Sequence, residues 1–164
     1  MTRIATHAKI VQFHKDIAEA HNLIHDFYRF NWNEITGSFR SGVNTPALLL
    51  ESYSSDFESQ TKNVTNFNKK DISFLLLDFA GQQNDFDKQE EVLDRLENIA
   101  LDIVSYLVKE NKNQMSLLYG KLDINTVKIE KVGPIFDNMF GWNVLYNFKN
   151  HEDMTFDPTN WTFV

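Results

Sequence analysis

Residues 87–111 constrain the fold more than any other stretch. Val92, Leu96, Ile99, Ile103 and Leu107 recur every three or four residues, and Leu93, Ala100 and Val104 widen the stripe. That spacing puts the apolar side chains on one face of a long helix. Asp87 followed by Glu90 predicts a capping-box start, with an acidic first turn that suits the helix dipole. No Gly or Pro interrupts the stretch. Apolar, strand-like runs lie before and after it, so the helix is expected to pack across a sheet.

The rest of the chain supplies that sheet. Ile10, Phe13, Ile17, Ala20, Ile24 and Phe27 alternate by three and four, which predicts a first helix over 6–27 with a heptad-like seam. Three heptads are short for a free coiled coil, so the seam is expected to pack on the sheet or on a neighbouring helix. A turn-rich segment with Gly37, Gly42 and Pro46 follows. Residues 47–53 and 71–79 then read as two strands joined through a polar loop over 61–70, an antiparallel hairpin. Phe74 to Leu77 is apolar on both pleats, which predicts cover on both sides. Alternation returns at 126–132 and 142–148, with a break at Gly133 and Pro134. The tail over 150–164 reads as irregular, with Phe156, Pro158, Trp161 and Phe163 as anchors. The expected order is α-β-β-α-β-β. It describes one α+β domain over 1–164, with about four antiparallel strands and two long helices on one face.

A chain of 164 residues buries about 70% of the surface its unfolded form exposes, so it needs no staple to fold. It has no cysteine, which removes disulfides, Cys-ligated zinc and thiol catalysis. The formal net charge of −7 argues against nucleic-acid binding through a basic surface. Fourteen Phe residues point to aromatic side chains at subunit contacts as well as in the core. No stretch has the length and apolarity of a membrane span, and the N-terminus does not read as a signal peptide. A soluble chain made in the cytoplasm is expected.

Chemical motifs are sparse. His7, His14 and His21 are spaced by seven, and His25 follows His21 by four. On a continuous helix His21 and His25 would share a face and reach one metal. A row at the border of buried and wet surface accounts for them better, and no metal is expected. Glu51 lies inside an apolar strand, where a buried carboxylate can act as an acid, though a solvent-facing or paired Glu is the more ordinary case. Asp85, Asp87, Glu90, Glu91 and Asp94 cluster, but without the glycine and alternating ligands of a calcium loop. There is no phosphate-binding glycine loop, nucleophile elbow or zinc-protease motif. No catalytic residue and no cofactor is expected. Adhesive surface is expected instead. Ile135, Phe136, Met139 and Phe140 sit in a hairpin connection, where apolar residues find cover from a partner or by folding back. Leu101 and Val108 lie off the main stripe of the long helix and extend that contact surface.

The order of elements resembles the tail-terminator and tail-completion proteins of long-tailed bacteriophages. The resemblance is carried by the helix–hairpin–long helix–hairpin order and by Thr45-Pro46-Ala47-Leu48-Leu49-Leu50-Glu51 entering the first strand. Asp137-Asn138-Met139-Phe140-Gly141-Trp142, opening the last strand, is the third element. It implies a structural subunit that closes head-to-tail into a ring, usually hexameric, at the head-proximal end of the tail tube. Tail-tube and head-connector proteins would be its further partners, with no sequence-specific nucleic acid and no membrane, and the virion its final location. A small-molecule-binding or regulatory α+β module is the alternative, and it would require an enclosed apolar pocket between sheet and helices. An enzyme using Glu51 or the histidine row is a third.

Overall fold

The structure, a computed structural model, describes residues 4–31, 43–59, 66–82, 84–136, 138–152 and 154–162. The expected positions 32–42, 61–65, Asp137 and Phe163 lie outside the described residues. Two helices and a six-stranded, mostly antiparallel sheet make an α+β fold.

The first helix, α1, is His7–Ala20, with Thr6 as its N-cap. It ends well before Phe27. His21 closes it by donating its backbone N–H to the Ile17 carbonyl at 3.1 Å, and a turn leads into strand β1, Asp26–Phe30. Ile24 and Phe27 do face the core, so the three-and-four spacing continued past the helix. The aromatic-rich run Phe27-Tyr28-Arg29-Phe30 nevertheless favours a pleated strand.

β1 runs parallel to β2, Ala47–Glu51, in the register Asp26↔Ala47 to Phe30↔Glu51. This parallel pair corrects the expected all-antiparallel sheet. The expected strand over 47–53 also splits. The Ser52 N–H donates back to Phe30 O at 3.0 Å, and β3, Ser54–Ser59, starts after Tyr53. β4, Asn66–Phe79, is 14 residues long and takes in part of what read as a polar loop. One edge of β4 pairs with both β2, through 74–77, and β3, through 66–71. β5, Leu122–Ile135, and β6, Met139–His151, form the final hairpin, longer than the alternation indicated. The sheet order is β1-β2-β4-β6-β5, with β3 beside β4.

The second helix, α2, is Phe86–Lys112. Its cap is Asp85, not Asp87: the Asp85 carboxylate accepts from the Lys88 N–H at 3.1 Å. Val92, Leu96, Ile99, Ile103 and Leu107 are each 1% exposed or less. Burying a Leu or Ile side chain in this way contributes about 1.5–3 kcal/mol. The stripe meets Phe74, Leu76, Val144, Tyr146 and Phe148 of the sheet, and α1 completes the same core. The Trp142 indole N–H fixes the contact further by donating to Leu93 O at 2.9 Å. At the other end, Asn111 Oδ1 accepts from Lys121 N and Leu122 N at 3.0 and 3.1 Å, joining α2 to β5.

The sheet is covered on both faces. Leu75 and Leu77 point away from the helices into a second cluster with Phe30, Ala47 and Leu49. Two glycines make the hairpin fit. A Cβ on Gly141 would run into the Leu76 carbonyl of β4. One on Gly133, whose φ is +124°, would meet the Phe140 ring at 2.7 Å.

Candidate functional site

A groove of about 680 Å³ opens beside α1, at the β1 end of the sheet. Val11 from α1, Phe27 from β1 and Leu50 from β2 give it an apolar floor; Tyr53 closes one end. Lys15 and Arg29 are its cations, Glu51 its carboxylate and His7 an imidazole beside them. His7 Nδ1 lies 3.3 Å from the Tyr53 hydroxyl, and the two rings are 5.6 Å apart. Tyr53 is raised above the usual phenol range by burial. Lys15 pairs with Glu19 at 3.5 Å on the open surface, an arrangement worth about 0–1 kcal/mol. The volume falls within the roughly 300–1,000 Å³ of ligand pockets, but the groove is open and edged by mixed charge.

Glu51 is half-buried at the end of β2 and lines this groove. The histidine row is dispersed. His14 is fully buried: its Nδ1–H donates to Ile10 O at 2.7 Å, and Nε2 stands 2.9 Å from the Tyr146 hydroxyl. Burial lowers the His14 pKa to about 4 and raises Tyr146 above the usual phenol range. This is a neutral core pair. The space around it between α1 and the sheet is only about 10 Å³, too small for a ligand or a reacting water chain. His21 sits 3.6 Å from Asp102 of α2. His25 donates through Nδ1 to Thr45 O at 2.7 Å. Because α1 ends at Ala20, His21 and His25 do not share a helical face. Among the described residues no three His, Asp or Glu side chains converge as metal ligands.

The expected contact residues separate into three groups. Ile135, Phe136 and Met139 are half-buried, folded back against the second apolar cluster on the sheet face away from the helices. Phe140 is 6% exposed and belongs to the main core. β6 begins at Met139, so its alternation turns Phe140 inward, and that side chain has no surface left for a partner. Val108 is half-buried against the main core, and Leu101 is 49% exposed on α2. The acidic cluster is the solvated start of α2: Asp85 caps it, and Glu91, held below the usual carboxylate range by Lys88, pairs with that lysine at 2.9 Å.

Two features escaped the sequence reading. The groove depends on β1, which the periodicity assigned to a helix. The segment after β6 was expected to anchor on the core, yet Phe156 and Trp161 are 56% and 49% exposed and lie against each other, with ring centroids 5.9 Å apart. Alternating small polar and aromatic residues around Pro158 were the available signal for an arm. Among the described residues, no helix is long and apolar enough to cross a membrane. No protein-family model matches the chain, and no curated protein matches it significantly.

Proposed function

We propose that the chain is a structural subunit of a phage tail or neck, closing head-to-tail into a ring that ends the tail tube and meets the head. The sequence resemblance supplies that role. One structural arrangement supports it: β1 and β5 are the terminal strands of the sheet, at its opposite ends. A head-to-tail ring needs two different surfaces on opposite sides of each subunit, and a sheet ending in two unlike strands provides them. The exposed side chains of Leu101, Phe156 and Trp161 add apolar surface of the kind that subunits bury. The enclosed apolar pocket that a small-molecule module requires has no counterpart beside His14, where the space is about 10 Å³.

Light scattering from micromolar to millimolar protein, with and without purified tail tubes, tests this role. A discrete closed oligomer, or one that forms on addition of tubes, is the expected result. A monomer at every concentration that also fails to bind tubes would sink it.

A further inference from the structure

The groove beside α1 and the segment after β6 are complementary in chemistry. The groove has an apolar floor; Arg29, Glu51 and His7 line it, with Lys15, which also pairs with Glu19. Arg29 places a cation at this edge of a chain of net charge −7. Arg29 enters none of the ion pairs seen among the described residues. The arm after β6 has the opposite make-up. Residues 152–162 hold Glu152, Asp153 and Asp157, with no Lys or Arg. Met154, Phe156 and Trp161 on the arm are 54%, 56% and 49% exposed. A short 3-10 turn, Pro158–Asn160, capped by the Asp157 carboxylate, sets Phe156 and Trp161 side by side.

We infer that the arm of one copy docks into the groove of the next. Phe156 and Trp161 enter over Phe27 and Leu50, and the arm's carboxylates face Lys15 and Arg29. Each aromatic side chain can bury about 150–250 Å², and the groove volume is about 680 Å³. Opposite charge at the edge sets the direction of entry and makes it salt-sensitive. Each copy has an arm and a different groove, so the contact is heterologous, and repeated from copy to copy with a closing rotation it builds a ring. This docking rests on the self-assembly proposed above and names its surfaces.

Sedimentation velocity on full-length variants tests it. Lys15→Glu with Arg29→Glu reverses the groove, and Glu152→Lys with Asp153→Lys reverses the arm while keeping the Asp157 cap of the turn. Each reversed protein is expected to associate at least about tenfold more weakly, with the thermal midpoint of its dilute, dissociated form unchanged. The protein carrying all four changes is expected to recover association, which a folding defect would not allow. Phe156→Ser with Trp161→Ser is expected to weaken association in every salt condition. If wild type forms rings and the reversed proteins form them equally well, the docking is wrong and the assembly role stands. Failure of the fourfold protein to recover would also overturn the docking. An arm that closes into its own groove would show as a salt-sensitive change in a monomer, and it too overturns docking between copies. Wild type that neither self-associates nor binds tail tubes overturns both.

Discussion

The Tyr146 hydroxyl lies 2.9 Å from His14 Nε2, and the other imidazole nitrogen donates to the Ile10 carbonyl at 2.7 Å. The second bond fixes the tautomer, so Nε2 is the acceptor and Tyr146 the donor. Tyr146→Phe keeps the ring packing and leaves that acceptor buried without a partner. The expected cost is about 1–3 kcal/mol, measured by urea unfolding at neutral pH. A loss below the error of the measurement would show that the hydroxyl is not a partner of His14.

The same histidine makes stability depend on pH. Its folded pKa is about 4 against 6.5 when unfolded, so the unfolded chain binds the extra proton first. The stability from a neutral His14 is complete above pH 6.5 and falls as pH drops toward 4, by about 3 kcal/mol in total. Urea midpoints across that window would show the slope. His14→Gln should flatten it, whatever its effect on absolute stability.

On α2, position decides the effect of truncation. Leu96→Ala empties a site that is 0% exposed and is expected to cost about 2–5 kcal/mol. Leu101→Ala, at 49% exposed, should change monomer stability by no more than about 0.5 kcal/mol. Chemical denaturation of both variants checks the contrast, and equal losses would contradict the burial of the stripe.

Arg95 and Asp78 form an ion pair in which Asp78 is 7% exposed and also accepts the Phe79 N–H at 2.7 Å. Arg95→Met leaves that carboxylate without its cation, at an expected cost of about 1.5–3 kcal/mol. Lys88→Met, which breaks the exposed pair with Glu91, should leave stability within the error of the measurement. Salt titration of thermal midpoints would separate them further, since the exposed pair is the more strongly screened.

Gly141→Ala is expected to destabilise by about 1–3 kcal/mol or more, because its methyl meets the Leu76 carbonyl of the neighbouring strand. A backbone atom cannot swing aside as a side chain can. Circular dichroism melts of this variant would show whether β6 can move away from β4.

The long helix was legible because its signal is local. A stripe repeated over 27 residues leaves one period to choose, and the expected 87–111 falls within one residue of it at each end. The cap at Asp85 was misplaced because several acidic residues there satisfy the same pattern. Two-sided burial of Phe74 to Leu77 was legible for the same reason: both pleats are apolar. β1 was not, since five residues are too few to establish a period and Ile24 and Phe27 continued the helical spacing by facing the same core. The groove went unseen with it. The pairing of β1 with β2 is set by the path of the chain through space, which no local pattern records. Phe140 was read by its place in a supposed loop, whereas the strand had already begun at Met139.

β4 is one strand held by two kinds of force. From Phe74 to Leu77 its amides lie between two dehydrated apolar layers. From Asn66 to Asp71 it lies between β3 and the end of β6, and Asn68 Oδ1 accepts from the hydroxyl of Ser55 at 2.5 Å and from Lys70 Nζ at 3.3 Å. Water can replace those polar partners but not the apolar ones. In hydrogen exchange, the amides of the outer half should open in small local events, while those of the inner half exchange only when the whole molecule unfolds. Pulled at its outer end, the strand would part first from β3 while its other edge stayed paired with β6.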